Sequence, residues 1–281
     1  MNLFDLAEKN WHYLKEVYRE KKYRDKINDF VEFIKNNWAI SIKMRKNTLI
    51  CFLSGEEYKN IRRIKKELQI KLKDQKNLKI SLNDAIEKHT KEYHKPRLVF
   101  ESSFQNGEEF KYAALNVGGI NVKGLGPKKY GEFCVVINQK QLKKYSTLAF
   151  IKEDSLKYIR ERQIEIERFK KDIANRDTIH FLTALKHCNI DASPKREWPS
   201  KICCNERYIE AITIDSILNK HMETVRISAK DYDYYYVDLG VKMYQNTISD
   251  TERHQFSLFK SIVNLLRKQG LELERIEENE D

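Results

Sequence analysis

Glu210 is the first residue whose type and setting suggest chemistry, because it interrupts an apolar run. The stretch RYIEAITIDSI alternates apolar and polar side chains around it and is bounded by turn-forming residues, which predicts a half-buried strand. A carboxylate in such a strand has two interpretations. It lies on the solvated face of an edge strand, or the strand presents it into a cleft.

Polar residues also lead two other apolar stretches that we predict to be strands. Arg97 begins RLVFESS, and Ser146-Thr147 begin STLAFI. Each has an ordinary explanation, because Arg97 can pair with Glu101 on the same face of a strand and Ser-Thr is common strand composition. These residues are candidates for one site only if the fold brings them together.

Two tyrosines flank a glycine-rich segment in the middle of the chain. Tyr112 precedes GGINVKGLGP, residues 118–127, and Tyr130 follows it. The segment matches neither the phosphate-binding loop nor the dinucleotide-binding turn, and by itself it indicates only turns. The H-E-x-x-H motif of metallopeptidases and the G-x-S-x-G motif of serine hydrolases are also absent from the sequence.

The spacing of apolar residues predicts helices first and strands afterwards. The predicted helices are residues 2–18, 27–38, 56–74, 81–94, 154–186 and 253–269, and the predicted strands are residues 47–54, 97–103, 131–138, 146–151, 205–217 and 231–245. This order favours an α+β fold with a helical N-terminal region and a mostly antiparallel sheet. We place a domain boundary near residue 90, between a basic helical region, 1–90, and a second domain, 91–281.

Composition excludes several classes of protein. The chain has 281 residues, of which 41% are hydrophobic and 34% charged, so it can bury a core and is not disordered. No apolar run reaches the roughly 18 residues of a membrane span, and the first residues lack a basic secretory leader, so we expect a cytoplasmic protein without membrane association. The adjacent pair Cys203-Cys204 lacks the spacer of zinc sites, so we expect free thiols and no metal.

Positive charge is concentrated in the first third of the chain. The net charge is +11, and residues 1–100 hold 24 Lys and Arg against 14 Asp and Glu. Such a surface attracts polyanions, although a solvated lysine-rich surface explains it equally well. We predict contacts to nucleic acid, with RNA favoured over DNA, from six residues of the basic helix: Arg62, Arg63, Lys65, Lys66, Lys71 and Lys73.

The order of these pieces resembles the ADP-ribosyltransferase superfamily of the Arg/Ser-Thr-Ser/Glu type. RLVFESSFQNG, KYAALN, GLGPKKYGEFCVVI and RYIEAITIDSI are similar, in this order, to an uncharacterised bacterial branch with that fold. The resemblance covers about residues 95–217 and implies a split, mostly antiparallel β-sheet core. Two positions depart from it. The last serine is missing after Ser146-Thr147, and Tyr208 stands where many members have a Gln or Glu that orients a protein acceptor.

The resemblance implies NAD as the substrate and a role for each candidate residue. Glu210 would stabilise the oxocarbenium-like sugar and hold the ribose 2′-hydroxyl. Arg97 would bind the pyrophosphate or the ribose bidentately. Ser146 and Thr147 would tie the two central strands together beneath the nicotinamide. Three further residues would stack on the nicotinamide ring or hydrogen-bond an amide: Tyr112, Tyr130 and Asn116.

These inferences together predict an NAD-dependent ADP-ribosyltransferase toxin that modifies nucleic acid. A role in bacterial phage defence and a neutralising antitoxin partner follow by analogy with the family alone. Two alternatives stay open: an ADP-ribosyltransferase that acts on a protein, and a non-enzymatic nucleic-acid-binding protein whose N-terminal helices do the binding. The second alternative requires neither NAD nor Glu210.

Overall fold

The computed structural model describes residues 1–20, 25–60, 62–64, 66–67, 94–118, 124–190, 193–203 and 207–277. The helices of these residues are α1 Leu3–Lys9, α2 Trp11–Glu20, α3 Asp25–Asn37, α4 Lys46–Leu53, α5 His94–Ser102, α6 Gln139–Leu142, α7 Ile166–Lys171, α8 Ile179–Lys186, α9 Trp198–Ile202, α10 Ala229–Asp233, α11 Leu239–Tyr244 and α12 Asp250–Lys268. The strands are β1 Trp38–Met44, β2 Lys111–Val117, β3 Phe133–Ile137, β4 Ala149–Ile151, β5 Ile159–Arg160, β6 Gln163–Ile164, β7 Ile173–Ala174, β8 Glu210–Thr213, β9 Met222–Ser228 and β10 Leu273–Ile276.

Eight of these strands form one hydrogen-bonded sheet in the order β10-β9-β3-β1-β2-β8-β4-β7. Neighbouring strands run antiparallel except β9 and β10, which are parallel. The predicted α+β class with a mostly antiparallel sheet is therefore confirmed. The predicted split is not seen, because the eight strands of the described residues are continuous. No described helix has both the length and the apolar character that crossing a bilayer requires.

The centre of the sheet is built from a part of the chain that we assigned to the N-terminal region. Strand β1 lies between β3 and β2, with Ile40 opposite Leu115 on one side and Ile137 on the other. The sheet therefore draws on residues from both sides of the division that we placed near residue 90.

The two faces of the sheet pack against different helices. On one face, Leu115 and Phe150 belong to a large apolar cluster that includes side chains from α3, α8 and α12. On the other face, Ile151 and Ile212 pack with Phe100 of α5 and with side chains of α1 and α7. Burying each such side chain is worth roughly 1.5–3 kcal/mol, so this second cluster fixes α5 against β4 and β8.

Residues 97–103 were predicted to form a strand, but residues 94–102 form helix α5. Pro96 was predicted to end a preceding helix and instead lies in the first turn of α5. The backbone N–H groups of a first turn have no intrahelical partner, so proline is tolerated there. Phe100 is fully buried, and Arg97 and Glu101, four residues apart, share one face of the helix.

Two other predicted strands are also helical. Residues 47–54 fall largely in α4, where buried positions recur at spacings of three and four. Residues 231–245 form α10, a π-helical turn and α11. Ser228 starts this helical segment, because its Oγ accepts a hydrogen bond from the backbone N–H of Asp231 at 3.1 Å. The aromatic and β-branched residues of these two segments favour strands. Helix capping and tertiary packing override that propensity.

Residues 154–186 do not form the one or two long helices that were predicted. They divide into a short 3₁₀ helix, the β5–β6 hairpin, α7, β7 and α8. The hairpin turns at Glu161 and Arg162, whose φ angles are +47° and +70°, as a two-residue turn between right-twisted strands requires.

Other predicted elements occur near their predicted positions. Strands are found within 131–138, 146–151 and 205–217, and α12 matches the predicted closing helix at 253–269. The predicted helix at 56–74 lies partly outside the described residues, within which 62–64 and 66–67 are helical. The helix predicted at 81–94 lies outside them except for its last residue.

We predict that Gly107→Ala destabilises the protein by roughly 1–3 kcal/mol, the usual cost of overpacking. A Cβ atom on Gly107 would lie 1.9 Å from the backbone carbonyl oxygen of Glu101 in α5. Relieving this clash would require the helix backbone itself to move. Urea unfolding monitored by circular dichroism measures the change.

Gly240→Ala is the matched control for that substitution. A Cβ atom there meets nothing within 4 Å and lies in helix α11, so alanine should stabilise by about 0.5–1 kcal/mol. Equal effects of the two substitutions would contradict the packing between Gly107 and α5.

Candidate active site around Glu210

Glu210 lies in an interior strand of the sheet. Its Cα stands opposite Ala114 of β2 on one side and opposite Ile151 of β4 on the other. The residue is 5% exposed, so the interpretation as a solvated edge residue is wrong. Side chains alternate along a strand, so Glu210 shares the face of Ile212, which packs against α5.

The loop after β4 supplies the hydrogen-bond partner of this carboxyl group. The backbone N–H of Ser155 donates to Glu210 Oε2 at 2.9 Å. Asp154 precedes it and caps the 3₁₀ helix Ser155–Tyr158, with Oδ1 accepting from the N–H of Leu156 at 3.1 Å. Ser155 is 1% exposed, and its Oγ has no hydrogen-bond partner among the described residues.

Burial makes the charged form of Glu210 unfavourable. Desolvation, with repulsion from the Asp154 carboxylate, raises the pKa of Glu210 to about 8. Ser155, through its side chain and its backbone N–H, and the Arg97 guanidinium lower the Glu210 pKa without reversing the shift. Glu210 therefore holds a proton near neutral pH and is poised to ionise when a positive charge approaches.

Arg97 reaches the same site from helix α5. Its guanidinium carbon lies 4.2 Å from the ring centroid of Tyr112, a cation–π arrangement. Tyr112 lies on β2 two residues before Ala114 and so shares the face of Glu210. Desolvation opposes the charge of Arg97, but its interactions with Tyr112, Glu101 and Glu210 outweigh it and raise the Arg97 pKa.

Glu101 links this part of the site to the basic segment. Its carboxylate is 4% exposed, and it accepts hydrogen bonds from Arg62 Nε at 2.7 Å and from the Tyr112 hydroxyl at 3.3 Å. Burial raises the Glu101 pKa, while Arg62 and then Arg97 favour the charged form. A simple pair of Arg97 with Glu101 therefore does not describe this site, because it is Arg62 that is hydrogen-bonded to the Glu101 carboxylate.

A second group of tyrosines lies beside Asp154. The Tyr208 hydroxyl donates to Asp154 Oδ2 at 2.9 Å and lies 3.4 Å from the Tyr130 hydroxyl. Lys129 Nζ is 3.7 Å from the same Asp154 oxygen. Tyr208 is buried, whereas Tyr130 is 47% exposed, so this group leads from the buried carboxyl to the surface.

Ser146 and Thr147 lie at the opposite end of β8 from Glu210. Ser146 Oγ donates to Asp215 at 2.9 Å, and the Thr147 N–H donates to Asp215 at 2.7 Å. Thr147 Oγ1 is also 3.2 Å from Thr213 Oγ1. Thr213 is three residues beyond Glu210, about 10 Å along a strand, and on the other face. These two residues tie β8 to the segment before β4, and the structure does not bring them to the carboxyl group.

Asn116 is a buried structural residue. Its Oδ1 accepts from the Val117 N–H at 2.7 Å and from Arg226 at 3.4 Å, while its Nδ2 donates to the Gly124 carbonyl at 3.2 Å. The side chain is fully buried and holds the described end of the glycine-rich loop against the sheet. A contact of Asn116 with a ligand amide is therefore not supported.

The predicted nucleic-acid contacts are only partly described. Lys65, Lys71 and Lys73 lie outside the described residues. Arg63 is half-exposed and pairs with Glu57 at 2.9 Å, and Lys66 is exposed. Arg62 faces inward to Glu101, as given above, and so belongs to the site around Arg97 instead of an open basic surface.

Sequence reasoning missed Asp154 and Ser155. Both lie in residues 154–186, which were predicted to be helical. An acidic residue in a helix is ordinarily assigned to its solvent-exposed face. The pair Asp-Ser, which follows the strand AFI after two intervening residues, was an available signal, because aspartate at such a position indicates a helix cap.

The site combines three carboxyl groups, two of them buried, with a guanidinium and phenol hydroxyls. Such a set can stabilise positive charge, bind anionic or hydroxyl groups and accept a proton. Among the described residues, no group of three or more His, Cys, Asp or Glu side chains could hold a metal ion. No family model matches the sequence, and no curated protein does.

We predict that Glu210→Gln changes how stability depends on pH. The folded-state pKa of about 8 lies above the unfolded value of about 4.3, so the protonated carboxyl contributes stability that is fully present below pH 4 and lost as the pH rises through 8. Relative to the variant, wild-type stability should fall by up to about 1.4 kcal/mol per pH unit across this window.

Urea unfolding at steps between pH 5 and pH 9 measures this difference. Glu109→Gln, at an exposed glutamate, is the control and should follow the wild type. If Glu210→Gln and wild type keep a constant difference, the carboxyl group does not titrate in this window.

Proposed function

We propose that the protein is an NAD-dependent ADP-ribosyltransferase with Glu210 as its catalytic carboxylate. One observation supports this most strongly. Four residues that the sequence analysis predicted as site residues, each in a different segment of the chain, belong to one connected cluster: Arg97, Tyr112, Tyr130 and Glu210. A chance set of polar residues would not be expected to meet on one face of a sheet.

The electrostatics of Glu210 suit cleavage of a bond to a positively charged leaving group. The nicotinamide of NAD⁺ is cationic, and the charge moves to the ribose as the glycosidic bond breaks. Burial makes ionisation of this carboxyl group costly, and a nearby cation offsets that cost. The attraction between carboxylate and cation is also stronger in a desolvated site than in water. Stabilisation that grows as charge develops on the sugar accelerates the reaction instead of only tightening binding.

The remaining groups fit a dinucleotide. Arg97 carries a permanent charge that can pair with pyrophosphate oxygens, although Tyr112 already covers one face of its guanidinium. Tyr130 is therefore the better platform for stacking of the nicotinamide, because its ring is 47% exposed. The buried Ser155 hydroxyl, which has no partner among the described residues, supplies a hydrogen-bonding group for a ribose hydroxyl.

Nucleic acid, with RNA favoured, is the acceptor that we propose, and protein is the alternative. The excess of 24 basic over 14 acidic residues in positions 1–100 supports a polyanionic acceptor. Helix α5 and Arg62 connect this basic part of the chain to the cluster around Glu210.

We predict that Glu210→Gln lowers NAD turnover about 100- to 1000-fold, the usual cost of losing one electrostatic group at a reaction centre. Nicotinamide release and transfer of label from ³²P-NAD to RNA, DNA or lysate protein measure it, with Glu109→Gln as the active control. Absence of NAD turnover by the wild type, or equal turnover by Glu210→Gln, would favour the non-enzymatic alternative.

We also predict that NAD⁺ binding near pH 7 releases up to about one proton, because the cationic nicotinamide favours the ionised form of Glu210. Calorimetric titration in phosphate and in Tris separates this proton from the binding enthalpy, since the two buffers differ in ionisation enthalpy. Glu210→Gln should bind NAD⁺ with the same heat in both buffers. A buffer-dependent heat that persists in this variant would assign the proton to another group.

A further inference from the structure

Of the three carboxyl groups in the cluster, Glu210 and Asp154 lie in unlike surroundings. Glu210 is 5% exposed, while the Asp154 side chain is 15% exposed and lies next to the exposed residues Lys129 and Tyr130. Asp154 directly precedes Ser155, whose backbone N–H binds Glu210. One carboxyl group is therefore deep in the site and the other lies nearer to solvent.

Asp154 is held in a fixed orientation. Oδ1 accepts from the backbone N–H of Leu156 at 3.1 Å, and Oδ2 accepts from the Tyr208 hydroxyl at 2.9 Å with Lys129 Nζ 3.7 Å away. Burial raises the Tyr208 pKa, so that hydroxyl stays protonated and donates. Both carboxylate oxygens of Asp154 are therefore held by donors, and each oxygen retains a further lone pair.

We propose that Asp154 is the general base that removes a proton from the acceptor, and that the acceptor is consequently an N–H or O–H nucleophile and not a carboxylate. This rests on the proposed transfer from NAD. A carboxylate acceptor is already ionised at neutral pH and needs no base, whereas an amide N–H, a ring N–H or a hydroxyl must lose its proton.

The transfer balances with the groups that are present. The bond between nicotinamide and ribose C1′ breaks, and its electron pair leaves with neutral nicotinamide. A lone pair of the acceptor forms the new bond to C1′ on the opposite side of the sugar. The proton of the acceptor passes to the Asp154 carboxylate and from there to water. Glu210 stabilises the sugar cation and exchanges no atoms.

Two small nucleophiles test this assignment with NAD as the donor. Methanol must lose a proton when it attacks C1′, whereas azide is an anion and needs no base. Asp154→Asn should lower methyl ADP-ribose formation about 100-fold or more and leave ADP-ribosyl azide formation near the wild-type rate. Glu210→Gln should lower both reactions. Glu153→Gln, at the neighbouring residue that pairs with Lys157, should leave both unchanged.

The outcomes separate the two proposals. If Glu210→Gln lowers both reactions and Asp154→Asn lowers neither, or lowers both equally, the assignment of the base is wrong and the proposed function stands. If the wild type converts NAD in neither reaction, both proposals fail. The ratio of methyl to azide product gives a further check, because Asp154→Asn should lower it and Asp154→Glu should restore it.

A structural role for Asp154 is tested without an activity readout. Asparagine also caps a helix start, so Asp154→Asn should unfold near the wild-type temperature and show the same upward shift with NAD. A lost NAD shift would mean that Asp154 only shapes the site and would overturn the proposal. Tyr208→Phe is the second variant if Asp154→Asn does not fold. It removes the donor to Asp154 and should lower the methanol reaction more than the azide reaction, and equal effects would overturn the proposal.

Discussion

Desolvation of one carboxyl group in the interior of the sheet is the constraint from which the rest of the site follows. Glu210 pairs with strands on both sides, so its side chain has no route to bulk water along the sheet edge. An ionised carboxylate in such a position costs several kcal/mol unless hydrogen bonds or charges compensate for the lost water. Among the described residues, Ser155, whose backbone N–H donates to the carboxyl group, and the Arg97 guanidinium supply part of this compensation.

Beside this carboxyl group, a chain of three charged residues and one phenol brings a positive charge that partly offsets the cost of its ionisation. Arg62, Glu101, Tyr112 and Arg97 are in contact in that order, and each depends on its neighbours for orientation. Buried polar networks of this kind stabilise when fully satisfied and destabilise when one member is removed. The position of α5 against the second apolar cluster therefore determines the charge that Glu210 experiences.

Parts of this arrangement follow from local sequence, and parts do not. The strand that carries Glu210 was predictable because its apolar alternation is local, as was α12 because its 3.6-residue period and capping box are local. Arg97 was assigned to a strand because Pro96 suggested a helix end, and only packing of Phe100 shows the helix. The contact between Arg97 and Tyr112 depends on how α5 packs on the sheet, and the spacing of residues along the sequence does not predict that packing.

The central position of strand β1 has a consequence for folding. Its neighbours β2 and β3 come from much later in the chain, and β8, which carries Glu210, pairs with β2 from later still. Long loops must therefore close before the middle of the sheet gains any pairing energy, which slows folding in proteins with such non-local contacts. A fragment that begins after residue 90 would leave the inner edges of β2 and β3 unpaired, and exposed edges of that kind promote aggregation.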